Sequence, residues 1–243
     1  MNILLTGHEG FIGSHLYNFL TSKNHNVIGF DLKSGNNLLS SEFPENIDLV
    51  IHLAGLSGVR DSLNRPTEYW KTNVIGSQRL FDYYKNTRII YASSSTAYEP
   101  WKNPYAMSKY SVEQLRHKNN IGLRFTTVYG PGARDNMLVP LILRNKVHYL
   151  NVNHIRDFIH VDDVISAIDI IMSKPLTGVI DIGTGVSNRL VDIADYFKID
   201  YLKMIGDETE RLDNTADTTI LNSLNWITKV NLYQYIEENK NVN

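Results

Sequence analysis

The sequence predicts an α/β protein built on a doubly wound parallel sheet, and three observations predict it. Short apolar runs without polar alternation recur along the chain, the mark of strands covered on both faces. Between them lie stretches with apolar residues three and four apart, the mark of crossover helices. The first strand breaks at three evenly spaced glycines, Gly7, Gly10 and Gly13, and the second strand ends on an acid, Asp31.

The opening unit carries the most information. Asn2-Ile3-Leu4-Leu5-Thr6 is a buried strand; Ile12, Leu16, Phe19 and Leu20 form one apolar helix face; Asn26-Val27-Ile28-Gly29-Phe30 is a second strand. Gly7 permits a tight turn out of the strand, Gly10 lets backbone amides approach a pyrophosphate, and Gly13 lets the helix pack on the strand. The helix N-terminus at Phe11 and Ile12 adds partial positive charge. Asp31 stands about 20 residues on, where its carboxylate can accept hydrogen bonds from an adenosine ribose and repel a 2'-phosphate. The pattern predicts a Rossmann-type dinucleotide site that takes NAD in preference to NADP. The plain alternative is a tight turn that binds nothing.

The whole chain narrows the class. Its 243 residues allow one large domain or a domain with a small appendage, and a hydrophobic share of 42% supplies ample core. A net charge of -2 and a pI near 6.4 argue against a nucleic-acid partner. The absence of cysteine excludes a disulfide framework, a thiol nucleophile and a zinc-thiolate site. No signal-type N-terminus or bilayer-length apolar run occurs, so a soluble cytoplasmic protein without a membrane partner is expected.

After Asp31, Ser34-Gly35-Asn36-Asn37 is turn chemistry, with only a weak, short third strand predicted at Leu38-Leu39. Asp48 to Gly55 is a clear strand ending in small residues, where backbone can lie against a cofactor. Tyr69 to Lys85 predicts a long helix with Val74, Leu80, Phe81 and Tyr84 on its apolar side. Arg88-Ile89-Ile90-Tyr91-Ala92 is the next strand and runs into Ser93-Ser94-Ser95-Thr96. In an open α/β sheet ligands bind outside the carboxyl ends of strands, so this hydroxyl cluster is a site candidate as well as a set of helix caps. A helix from Pro104 to about His117 follows, with proline suited to its first turn. Tyr105 and Lys109 fall one turn apart on it and face the same way.

Together, Gly7-x-x-Gly10-x-x-Gly13, His52-Leu53-Ala54-Gly55, Ser93-Ser94-Ser95 and Tyr105-x-x-x-Lys109 resemble the extended short-chain dehydrogenase/reductase superfamily. The closest branch is the NAD-dependent nucleotide-sugar epimerases and dehydratases. Gly122 to Gly132, Arg156 to Val164, Asp181-Ile182-Gly183-Thr184-Gly185 and Ala216-Asp217 through Trp226 extend the likeness along nearly the whole chain.

The resemblance implies a division of labour. Residues 1–125 would bind NAD, with 156–182 returning to that domain, and 126–155 with 183–243 would form a small, discontinuous substrate-binding lobe. Tyr105 would be the base, Lys109 its electrostatic partner, and Ser94 the second hydrogen-bonding hydroxyl, with Ser95 the second choice. Gly7, Gly10, Phe11, Ile12, Gly13, Asp31, Leu53, Ala54, Gly55, Asn73, Tyr105 and Lys109 would hold the cofactor. Ser57, Arg60, Ser95, Thr127, Arg134, Arg156 and Arg211 would contact a nucleotide-diphosphate sugar, Arg211 being the poorer second phosphate contact. His148, His154 and His160 show no metal-ligand spacing, so no metal is expected.

The reaction implied is epimerisation at C4 through a 4-keto sugar. Dehydration is disfavoured because Ser95 and Thr96 stand where dehydratases carry an Asp-Glu pair. Val59-Arg60-Asp61-Ser62, Thr127 and Gly130 to Met137 resemble UDP-glucuronate 4-epimerases, with UDP-glucose 4-epimerases close by. Two other readings stay open: an NAD(P)H-dependent 4-keto-sugar reductase, and an NAD-sensing protein that performs no chemistry. The helices 69–85 and 105–117 resemble the elements through which the family forms homodimers.

Overall fold

The computed structural model describes residues 1–240. Four of the predicted strands form where their apolar runs lie: β1 (Asn2–Thr6), β2 (Asn26–Phe30), β3 (Leu49–His52) and β4 (Arg88–Ser94). With β5 (Ile121–Phe125) and the strand Gly178–Ile182 they make one six-stranded parallel sheet. Across the sheet the order is Gly178–Ile182, β5, β4, β3, β1, β2. The chain steps outward from β1 to β2 and then back past β1 to β3. That reversal opens a crevice at the carboxyl ends of β1 and β3, the place where such sheets take ligands.

Side chains alternate across the pleat, and both faces are covered. Leu4, Val50, Ile89 and Tyr91 join Leu80, Phe81 and Val112 in one apolar cluster. Their strand neighbours Ile3, Leu5, Ile51 and Ile90 are also fully buried, as a sheet with helices on both faces requires.

Two local expectations change. No strand forms at Leu38-Leu39: among the described residues the chain from β2 to β3 holds only a single helical turn, Leu32–Ser34. The reason is local chemistry. The Asn37 carboxamide accepts from the Leu39 amide at 2.9 Å and curls the backbone. Leu38 then buries its side chain in the same cluster, while its carbonyl accepts from Arg79 at 2.9 Å. The predicted 69–85 helix is also not uniform. It runs as Pro66–Tyr69, a wider π-turn over Trp70–Ile75, and Gly76–Tyr83.

The chain divides into two compact units, Met1–Arg124 with Ile171–Ile180, and Phe125–Ile170 with Asp181 onward. The first boundary falls beside residue 125, but the return to the first unit is shorter than the expected 156–182. Asp157 explains why. It is fully buried, and its carboxylate accepts from Thr184 N and Oγ1 at 2.9 and 2.7 Å, Gly185 N at 2.8 Å and Ala216 N at 3.2 Å. Asp163 likewise accepts from the amides of Lys229 and Val230 at 2.9 and 3.1 Å. Phe158 joins Tyr129, Ile142, Leu150, Ile193 and Ile236 in the second unit's own core. Residues 241–243 of the predicted lobe lie outside the described residues.

Asp157 therefore supports the second unit from within. Asp157→Ala strips partners from three backbone amides and a hydroxyl and is expected to destabilise the protein by about 3 kcal/mol or more. A urea-unfolding midpoint equal to that of the wild type would refute this.

Candidate active site

The glycine segment forms a cradle that side chains would fill. Gly7 has φ +74, and a Cβ there would lie 2.6 Å from the Ala54 amide nitrogen. A Cβ on Gly13 would lie 1.9 Å from the Gly7 carbonyl oxygen. The turn closes with Gly10 N donating to that carbonyl at 3.0 Å. The helix Phe11–Ser22 begins here, with no side chain capping its N-terminus and no acid in its first turn. Its first amides and its dipole are therefore suited to an anion, and the residues fit the pyrophosphate of a dinucleotide.

Asp31 sits at the end of β2, next to this loop. One carboxylate oxygen accepts from the Glu9 amide at 3.2 Å and the other from the Lys33 amide at 3.0 Å. Lys33 Nζ donates to the Glu9 carbonyl at 2.9 Å, closing the acid against the glycine loop. A carboxylate has about four lone-pair sites, so acceptor capacity remains for ribose hydroxyls.

The next strand end completes the patch. Ala54 lies against Gly7, and a Cβ on Gly55 would meet Asn73 Oδ1 at 3.0 Å and Lys109 Nζ at 3.5 Å. Asn73 is buried in the π-turn, a helix irregularity often found at functional sites. Its Oδ1 accepts from Leu56 N at 2.7 Å, and its Nδ2 donates to Leu56 O at 3.0 Å and Ser108 Oγ at 2.9 Å. The structure thus brings Gly7, Ala54, Gly55, Asn73 and Lys109, far apart in sequence, into one continuous patch.

Asn103 caps the helix Pro104–Leu115 by accepting from Ala106 N at 2.8 Å. Lys109 on this helix is 7% exposed and donates to the Ala92 carbonyl of β4 at 3.0 Å. Burial pushes its pKa down to about 8, opposed by the negative charge of Glu113. Its Nζ lies 6.0 Å from the centre of the Tyr105 ring, which packs edge-on against Tyr69 at 6.1 Å. Ser94 is buried, and its Oγ accepts from Thr96 N at 3.2 Å and Thr96 Oγ1 at 3.0 Å; Ser95 is buried beside it.

Glu113, which sequence reasoning passed over, underlies this arrangement. It is 1% exposed, takes a bidentate pair from Arg124 at 2.8 and 2.7 Å, and accepts from Ser93. The Arg124 guanidinium stacks 4.0 Å from the Tyr98 ring. A signal did exist: Glu113 repeats the one-turn step from Tyr105 to Lys109, on the helix side that also buries Ala106 and Val112.

The remaining candidates are less concentrated. Ser57 and Arg60 are exposed, and the Ser57 carbonyl accepts from Tyr69 at 2.9 Å. In the second unit, Thr127 Oγ1 accepts from Asn214 Nδ2 at 3.0 Å, Arg134 is exposed, and Arg211 is partly exposed. Arg156 is turned inward. It donates to the carbonyls of Ile155 and Leu212 at 2.8 and 2.9 Å, and it lies 2.9 Å from His154 Nδ1 and 3.4 Å from Glu210. Among the described residues no group of three or more acidic or histidine side chains is placed to hold a metal ion, and no helix is long and apolar enough to cross a membrane.

Comparison with known proteins adds a consistent picture. Residues 3–183 match the model of the NAD dependent epimerase/dehydratase family. The chain is 31% identical to YtcB of Bacillus subtilis (strain 168), an uncharacterized UDP-glucose epimerase, over 72% of this chain and 73% of that protein. It is 30% identical to a dTDP-D-glucose 4,6-dehydratase of Dictyostelium discoideum, over 79% of this chain and 60% of the relative. Among solved structures, MoeE5 in complex with UDP-glucuronic acid and NAD superposes with a TM-score of 0.87 at 28% identity, covering 99% of this chain and 98% of that one.

The electrostatics around Lys109 give a direct expectation. Below about pH 8 the ammonium is charged, and above it the proton is lost. Removing the Glu113 charge takes away the attraction that favours the ammonium, so Glu113→Gln should lower the Lys109 pKa further. NMR titration of isotopically labelled lysine measures both values, and an ordinary lysine pKa in the wild type would refute the burial argument.

Proposed function

The chain belongs to the NAD dependent epimerase/dehydratase family, and from that premise we propose that it is an NAD-dependent 4-epimerase of a UDP-linked hexose or hexuronic acid. The observation that carries the proposal is Lys109: a nearly buried ammonium, its pKa pushed down to about 8, one helical turn from Tyr105 and bonded to the strand that ends in Ser94. The likeness to MoeE5, whose complex contains UDP-glucuronic acid, supports the sugar class.

The glycine cradle with Asp31, Leu53, Ala54, Gly55 and Asn73 would hold NAD, together with Tyr105 and Lys109. When bound, NAD+ supplies a hydride acceptor at the sugar carbon. A free phenol, with a pKa of about 10, is a weak base at neutral pH. The Lys109 charge favours the phenolate, so Tyr105 can take the proton of the C4 hydroxyl. Ser94 donates to the same sugar oxygen, and the resulting 4-keto sugar accepts hydride on its other face after turning over. Serine and threonine at positions 95 and 96 offer no acid–base pair for eliminating water, which favours epimerisation over dehydration. In the second unit, Arg156 would offer a diphosphate the donors of its guanidinium, whose terminal nitrogens now bond internal partners.

A panel of UDP-, GDP- and dTDP-sugars, read by NMR at C4, tests the proposal. Tyr105→Phe keeps the ring packing and removes the proton carrier, so it should retain NAD and lower kcat by about 10²-fold or more. Inversion at the wild-type rate in that variant would exclude Tyr105 as the base. Consumption of NADH with a 4-keto sugar, without inversion of any substrate, would replace the epimerase by the reductase.

We also propose a homodimer. Trp70 and Ile75 on one helix, and Met107 and Tyr110 on the other, are each 38–45% exposed, with Trp101 nearby at 72%. Exposed aromatic and apolar side chains on two helices suit burial against a second copy. Light scattering at micromolar concentration should give twice the 27.8 kDa chain mass, and a monomer would overturn this.

A further inference from the structure

His52, the last residue of β3, is 3% exposed and lies 6.2 Å from the Phe81 ring, a depth at which apolar side chains are the commoner occupants. Instead, both of its ring nitrogens are bonded. Nδ1 lies 2.7 Å from Thr6 Oγ1, and Nε2 lies 2.8 Å from Ser77 Oγ. The direction of each bond follows from counting protons. Ser77 donates its one hydroxyl proton to the Asn73 carbonyl, so it must accept from His52. His52 therefore carries its proton on Nε2. Burial, reinforced by the Lys109 charge, pushes its pKa down to about 3, so the ring is neutral and Nδ1 accepts. Thr6 spends its hydroxyl proton on Nδ1 and accepts from the Ala54 amide at 3.2 Å.

The result is a one-way chain of hydrogen bonds, from the Ala54 amide through Thr6, His52 and Ser77 to the Asn73 carbonyl. The carboxamide of the same residue makes a separate set of bonds: Asn73 Oδ1 accepts from Leu56 N, its Nδ2 donates to Leu56 O and Ser108 Oγ, and Ser108 donates to the Tyr105 carbonyl at 2.8 Å. Both ends are backbone atoms of segments that carry the proposed site. An imidazole is useful here because it offers one acceptor and one donor on opposite edges of a rigid ring.

We propose that His52 is a positioning residue that sets the Leu53–Leu56 backbone and, through Ser77 and Asn73, the first turn of the helix bearing Tyr105 and Lys109. The inference rests on the reading of that helix as the active one, and it adds a residue outside the family's Ser, Tyr and Lys. His52→Phe keeps a planar ring, somewhat larger than the imidazole, without the two bonds, and leaves the Ser77 bond to Asn73 in place. The fold should therefore survive while the site loosens.

Three measurements on the full chain test it. Nitrogen-15 NMR of the wild-type imidazole should show the Nε2–H tautomer, unchanged across pH 5–8, where an ordinary histidine titrates. His52→Phe and Ser77→Ala should each weaken NAD+ about tenfold by calorimetry and lower kcat about tenfold with the sugar KM little changed, because small misplacements at a reacting centre cost rate. The double variant should lose no more than either single one, since the two act in one chain, and His52→Gln, which restores a donor and an acceptor, should recover part of the loss. A titrating or Nδ1–H imidazole would overturn the proposal, as would NAD+ affinity unchanged in a folded His52→Phe. The tautomer and the NAD+ affinity need no sugar, so these outcomes remain separate from failure of the epimerase reading. If His52→Phe does not fold, Ser77→Ala with unchanged NAD+ affinity would overturn it alone.

Discussion

The carboxamide of Asn73 is the joint on which the first unit's candidate site depends. A single side chain bonds both backbone groups of Leu56 and the hydroxyl of Ser108, so three segments separated in sequence are held in one register. It does so from inside a π-turn, where the wider winding breaks the regular helix ladder. A buried amide group costs free energy unless its donors and acceptor are satisfied, and here each is. Such a network permits few alternative arrangements, which is the property a site needs when its reacting groups must be held within a fraction of an ångström.

Around that joint the charges are arranged in layers. Lys109 is buried, which disfavours its ammonium. Glu113, one turn further along the helix, pulls in the other direction. Glu113 is in turn held by the bidentate guanidinium of Arg124 and by Ser93, so its charge is already largely committed. The lysine is thus left with a proton it holds less tightly than a surface lysine would. In the proposed mechanism a lysine so poised would support a phenolate without clamping it in an immovable ion pair. Replacing Glu113 by a neutral residue would disturb this balance and leave Arg124 buried without its partner.

The second unit solves a different problem with the same means. It is built from two separated pieces of chain and contains only short strands. Asp157 and Asp163 act as internal staples, each carboxylate collecting backbone amides from distant loops. Hydrogen bonds to a buried charge are stronger than those between neutral groups, so a few of them can hold irregular backbone that no ladder supports. Arg156, adjacent to Asp157, is likewise drawn inward, to carbonyls and to Glu210.

Much of this was legible in the residues alone. The strands β1 to β4 followed from unbroken apolar runs, the cradle from three glycines at fixed spacing, and the Tyr105–Lys109 pairing from helical periodicity, because each of these is a local property. Leu38 misled because its turn is imposed by a neighbouring asparagine and its burial by a distant helix. Asp157 and Glu113 looked like ordinary charges because their partners lie beyond helical reach, 27 to 59 residues away for Asp157 and 11 and 20 for Glu113. Sequence by itself determined where the chain turns, which faces are apolar and which chemistry stands at the strand ends. Only the tertiary structure decided which polar groups are buried together, how far the proton affinity of Lys109 falls, and which way His52 points its single proton. Those outcomes depend on desolvation and on hydrogen bonds between segments brought together by folding, and neither is encoded in any one stretch of the chain.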